Sequence, residues 1–127
     1  MERLEARLKD TIMALATLRE IVNEPYTIIV RDAAIQRFEY TFEAFWKFIK
    51  EYLRIKEKIA ANSPKQCFRE LFIISVISEE ENVKLLEMTD NRNMTSHTYN
   101  KDVANGIYSG IKAHYALMSD VVNRLEM

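Results

Sequence analysis

Between positions 90 and 99 the chain reads Asp-Asn-Arg-Asn-Met-Thr-Ser-His-Thr-Tyr, the one stretch in which cationic, titratable and hydroxyl side chains crowd together. Arg92 offers a permanent planar cation whose N–H groups match phosphate oxygens, and His97 an imidazole that exchanges protons near neutral pH. Asn93 and Ser96 can donate to a phosphate, with capping of a helix end an equal reading for both. Tyr99 adds a phenol. An acid, a base and a cation are what cleavage of RNA without a metal ion requires.

Helical geometry tests whether these groups can meet. On a regular helix Asn93 and His97 are neighbours at i, i+4 and Arg92 shares a face with Tyr99, but Arg92 and His97 lie roughly 140° apart. Convergence therefore needs a helix that frays near Thr95, with the long Arg92 side chain wrapping round, or a second copy of the chain across a two-fold axis. The reading favoured is both together. In such a dimer two His97 imidazoles and two Arg92 guanidiniums would share one cleft. The competing reading pairs Arg92 with Asp90 or Glu87 and leaves His97 and Tyr99 to finish the helix end.

The elements that must hold this segment are helices. Glycine and proline number two each, and helix-favouring residues are plentiful. Leu4, Leu8, Ile12, Leu15, Leu18 and Val22 mark a first amphipathic helix ending around Asn23 to Pro25, followed by a short apolar connector from Tyr26 to Val30. Ile35, Phe38, Phe42, Phe45, Ile49 and Tyr52 mark a second, running to about Ile59. Ser63 and Pro64 start a third, whose body from Cys67 to Ile77 is apolar nearly all round and so is expected at the centre. Ser78 with Glu81 matches a capping box opening a fourth, which carries Val83, Leu85, Leu86 and Met88 toward Asp90. Asn100 caps a fifth, traced by Val103, Ile107, Ile111, His114, Met118, Val121 and Leu125. The expectation is an all-α fold over residues 1–127 as one domain, an up-and-down four-helix bundle with an additional fifth helix.

Composition narrows the function classes. Eighteen basic against nineteen acidic residues give a net charge of −1, so contact with nucleic acid must be local rather than driven by a global field. The apolar run from Leu71 to Ile77 is far too short for a membrane span, and the charged amino terminus is unlike a signal peptide. The lone Cys67 beside Phe68 suits a reduced, buried thiol, so a cytoplasmic protein with no membrane association is expected. The acidic run Glu79 to Glu81 reads as a helix start rather than a metal site, since no His or Asp stands at ligand spacing beside it.

Other conspicuous residues have bland readings that come first. The Phe38, Phe42, Phe45 set with Trp46 reads as core or dimer packing before a base-stacking platform. Arg37, Glu39, Glu43 and Lys47 read as an ion-paired solvated face, then as a docking surface. His114 falls on the apolar stripe of the last helix as a core or interface histidine, with an acid/base role in reserve. Gly106 and Gly110, four apart, suggest close approach of another backbone.

Three sets of residues carry a family resemblance. They are Arg37-Phe38-Glu39-Tyr40-Thr41-Phe42-Glu43 with Trp46-Lys47, Ser63-Pro64 with Phe68-Arg69-Glu70, and Arg92-Asn93 with His97-Thr98-Tyr99. Over roughly residues 33 to 115 the chain resembles the nucleotidyltransferase substrate-binding branch of the HEPN superfamily. Arg92, His97 and Tyr99 also match the Arg-x4-His-x-Tyr pattern of HEPN toxins encoded beside minimal nucleotidyltransferase antitoxins. Where relatives often carry an aromatic residue in helix four, this chain has Val83 or Leu86. The resemblance implies a homodimer whose shared cleft presents Arg92 and His97 as catalytic residues of a metal-independent endoribonuclease needing no cofactor. It also implies a cognate minimal nucleotidyltransferase that blocks the toxin by transferring AMP to Tyr99. The alternative it implies is a non-catalytic subunit that presents a substrate to a two-component nucleotidyltransferase.

Overall fold

A computed structural model describes residues 1–126 and is all-helical there. Five α-helices follow in order: α1 (Glu2–Val22), α2 (Ile28–Tyr52), α3 (Pro64–Ile73), α4 (Glu79–Asn93) and α5 (Lys101–Leu125). A π turn (Leu53–Glu57) extends α2, and a 3-10 turn (Thr95–His97) follows α4. The four long helices alternate in direction. Thr11 of α1 bonds the Ala44 carbonyl of α2 and Arg37 of α2 bonds the Thr17 carbonyl, which sets α1 and α2 antiparallel. Glu81 and Asn91 of α4 meet Arg124 and His114 of α5, so these two also run opposite ways. The short α3 is the additional helix.

The caps are local and strong. Ser63 Oγ accepts from Gln66 N with Pro64 in the first turn, and Asn100 Oδ1 accepts from the amides of Asp102 and Val103. Ser78 and Glu81 form a reciprocal capping box. The segment from Tyr26 to Val30 is not a connector throughout. Thr27 accepts from Val30 N, so α2 starts at Ile28, with Ile28 and Ile29 exposed. Lys58, in the left-handed region at φ 59°, closes the π turn and brings the second helix to its end close to the expected Ile59.

The core lies along α2. Phe38, Phe42, Phe45, Phe48 and Ile49 are fully buried against Leu18, Phe68, Leu71, Leu85, Met88, Ile111 and Met118, in one contiguous cluster. Each buried phenyl contributes roughly 1.5–3 kcal/mol relative to exposure. The phenylalanines at near-heptad spacing are therefore packing residues and not a stacking platform. Ile12, expected on the buried stripe of α1, is 42% exposed, and Thr11 and Ala14 are buried in its place. Close approach of α1 to α2 explains this, because small residues fit the seam and Thr11 and Thr41 bond backbone carbonyls across it.

The expectation of a central third helix is corrected. It stops at Ile73, Ser75 turns left-handed at φ 65°, and Phe72 and Ile73 face outward. Only Cys67, Phe68 and Leu71 of α3 are buried, so it covers one side of α2 rather than occupying the middle. Val83 of α4 is likewise exposed while Leu85 and Met88 are not. Burial pushes the Cys67 thiol up to about 11, which keeps it protonated at neutral pH. Among the described residues, no helix is long and apolar enough to cross a membrane.

Candidate functional site at the end of helix four

Helix α4 is pinned at three points before it reaches Arg92. At its start the Glu81 carboxylate receives both terminal nitrogens of Arg124, at 2.8 and 2.5 Å. These bonds, with the Ser78 amide, draw the Glu81 carboxyl down to about 2. Glu81 of the acidic run is thus both a helix cap and an interhelix clamp, while Glu80 pairs with Lys84 one turn on. Among the described residues no group of three or more His, Cys, Asp or Glu is arranged to hold a metal ion. Near the other end Asp90 pairs with Lys65 of α3 at 2.7 Å. The Asn91 amide meets His114 Nε2 at 2.8 Å.

Regular helix ends at Asn93, and the chain tightens into the 3-10 turn at Thr95. The Thr95 hydroxyl lies 2.8 Å from the Arg92 carbonyl, which α4 leaves without a helical partner, and also 2.8 Å from Glu39 Oε2 on α2. The change of helix type falls near Thr95, where one of the two routes to convergence of Arg92 and His97 placed a fray.

Arg92 does not pair with Asp90 or Glu87. Its Nη2 forms an ion pair at 2.5 Å with Glu43 Oε1 of α2, and both side chains are about one-third exposed. Its Nε is buried with no hydrogen-bond partner. His97 is exposed and stands edge-on to Tyr99, ring centroids 6.1 Å apart at 70°. Tyr99 is 86% exposed. Asn93 and Ser96 also face solvent. One chain therefore brings His97 and Tyr99 together while Arg92 is held against α2. Among the described residues no hydrogen bond joins Arg92 to His97.

Sequence reasoning missed Glu43 and Glu39 as partners of this segment. Of the ion-paired face expected on α2, only Glu43 and Lys47 pair along the helix, at 3.9 Å. Arg37 turns to Glu20 on α1. Two acids four apart on α2, on the helix whose buried face carries the phenylalanines, were the available signal. His114 is a packed histidine. It stacks on Phe38 with centroids 5.3 Å apart, and burial lowers it to about 4, so it is neutral and accepts from Asn91. Gly110 makes room for it, since a Cβ there would lie 3.1 Å from Nε2. A Cβ at Gly106 would meet nothing within 4 Å, so among the described residues no other backbone packs on it.

A hollow of ≈ 640 Å³ between α1 and α5 is lined by Arg19, Glu20 and Tyr115 and touches none of residues 92–99. The segment is an open, solvent-facing shelf: an imidazole and a phenol side by side, with a fixed cation on the preceding turn. Such a shelf suits a polymer or a protein partner better than an enclosed small molecule.

Among solved structures, a protein of Thermus thermophilus is 43% identical, covers 92% of this chain and 99% of its own, and superposes with a TM-score of 0.89. A tri-AMPylated HEPN toxin of Shewanella oneidensis, in complex with its MNT antitoxin, is 14% identical. It covers 97% of this chain and 96% of its own at a TM-score of 0.75. A Haemophilus influenzae protein described as having the fold of a nucleotidyltransferase substrate binding domain is 22% identical. It covers 99% and 98% at a TM-score of 0.67. The last two establish likeness of fold. No curated protein matches the sequence significantly. A family model described as nucleotidyltransferase substrate binding protein like matches residues 6–127, and the chain belongs to that family.

Proposed function

We propose that the chain is the toxin of a two-component module, a metal-independent endoribonuclease whose complete site forms between two copies of a single HEPN-like domain. The observation that carries the reading is the break of α4 at Asn93, which leaves His97 and Tyr99 exposed after it while Arg92, before it, is held against α2 by Glu43. In the dimer, His97 of one copy takes the proton of a ribose 2′-hydroxyl as that oxygen bonds to phosphorus. The bond to the 5′-oxygen breaks, and His97 of the second copy protonates the leaving oxygen. A cyclic phosphate and a 5′-hydroxyl result. Arg92 stabilises the charge building on the phosphoryl oxygens, and Asn93 and Ser96 donate to the phosphate.

Control comes from a cognate minimal nucleotidyltransferase. The Tyr99 phenolic oxygen attacks the α-phosphorus of ATP held by that partner, pyrophosphate leaves, and AMP remains on the tyrosine. The exposure of Tyr99 supports this role. The added charge and bulk beside Arg92 then compete with an RNA phosphate.

Family membership favours a second reading, a non-catalytic subunit that presents a substrate to a nucleotidyltransferase. Incubation of the purified protein with RNA in the presence of a chelator separates the two. The nuclease reading expects cleavage that a 2′-deoxy oligonucleotide of the same sequence resists. Binding of the RNA, which nevertheless stays intact at high protein concentration, favours the second reading.

A further inference from the structure

We propose that Glu43 is the positioning residue for Arg92, an inference that rests on the phosphate-handling reading above. The Glu43 carboxylate is oriented by its own helix: Oε2 accepts from Trp46 Nε1 at 3.2 Å and lies 3.9 Å from Lys47 Nζ. That leaves Oε1 for the Arg92 guanidinium, at 2.5 Å. On α4 the near acid is unavailable, since Asp90 is engaged by Lys65. Four residues earlier on α2, Glu39 takes the Thr95 hydroxyl. One turn of α2 therefore fixes the residues on both sides of the helix break, Arg92 before it and Thr95 after it.

The buried Nε shows that this hold on Arg92 works against a cost. Its N–H lies in the seam between α2 and α4 with no acceptor, a state that opposes the packed position unless another contact retains it. Without the carboxylate the side chain gains by swinging out and hydrating Nε. With it, a mobile cation becomes a fixed one, the pair being about one-third exposed. The same negative charge opposes an incoming phosphate, so Glu43 trades ground-state affinity for orientation.

Glu43→Gln keeps the shape and an acceptor and removes the charge. The expected result is a fall in kcat for RNA cleavage of about tenfold or more, together with a lower KM. A purely structural role would lower kcat by loss of folded protein and leave KM unchanged, and that pattern would overturn the proposal. NMR of the Arg92 Nε–Hε group gives a readout independent of activity. In the parent protein it is ordered and protected from exchange. In Glu43→Gln it becomes mobile, and in Glu43→Asp, with the carboxylate withdrawn by one methylene, it is intermediate. An equally ordered signal in Glu43→Gln would also overturn the proposal. Should the parent protein cleave no RNA, the nuclease reading fails while the NMR comparison still decides the role of Glu43.

Discussion

The Asn91 side-chain amide donates to His114 Nε2 at 2.8 Å, tying the residue next to Arg92 to the middle of α5. The bond requires an unprotonated Nε2, and burial against Phe38 keeps the ring neutral. The end of α4 is thus held from α5 by a neutral contact and from α2 by a charged one. Each hold makes a different prediction.

The His114 contact is pH-dependent. Burial lowers the imidazole from 6.5 to about 4, so below pH 6.5 the unfolded chain takes up a proton that the folded chain refuses. Stability is complete above the unfolded value and is lost as pH falls toward about 4. Between about pH 7.5 and about pH 5 the loss from this group is about 2 kcal/mol. The other ionisable groups around this face are Glu81, Lys84, Glu87 and Asp120, and Glu81, drawn down to about 2, contributes its own loss only at lower pH. Urea midpoints at the two pH values, compared with those of His114→Gln, measure it. Equal pH dependence in the two proteins would contradict the assignment.

The glycines of α5 should respond in opposite ways. Gly106 is exposed in the second turn of α5 with open space at its Cβ position, so Gly106→Ala stabilises by about 0.5–1 kcal/mol. At Gly110 the new methyl would press on His114 at 3.1 Å, and that ring is held by Phe38 and Asn91. The helix-propensity gain is offset there, and Gly110→Ala is neutral or destabilising. Denaturant melts of the two variants check the contrast, and equal stabilisation by both would count against the packed His114.

Coexpression with the cognate nucleotidyltransferase tests Tyr99. The intact mass of the purified chain should rise by increments of AMP, and Tyr99→Phe should show none. Increments retained in Tyr99→Phe would move the modification to another residue.

What could be read from the sequence was chiefly what is local. Ser63 with Pro64, Ser78 with Glu81, and Asn100 announced three helix starts, because a cap and its acceptor lie within a few residues. The angular mismatch of Arg92 and His97 raised a fray near Thr95 as one of two routes to convergence, and the helix does change type there, although Arg92 pairs with Glu43 rather than turning to His97. The end of α3 did not show: the run from Leu71 to Ile77 reads as buried, and nothing in it foretells the left-handed Ser75. Thr27 before an apolar run was a legible cap that the apolar connector reading passed over. The partner of Arg92 was not legible at all. Asp90 and Glu87 are near in sequence, but Glu43 is near only once α2 and α4 pack, and Lys65 then takes Asp90.

The central claim, that the segment from Arg92 to Tyr99 cleaves RNA, is tested most directly by comparing the parent protein with His97→Ala and Arg92→Ala on the same RNA under chelator. His97 is exposed, so its replacement should leave the fold intact by circular dichroism. The account predicts cleavage by the parent protein and its loss in both variants. Undiminished cleavage by folded His97→Ala would contradict it.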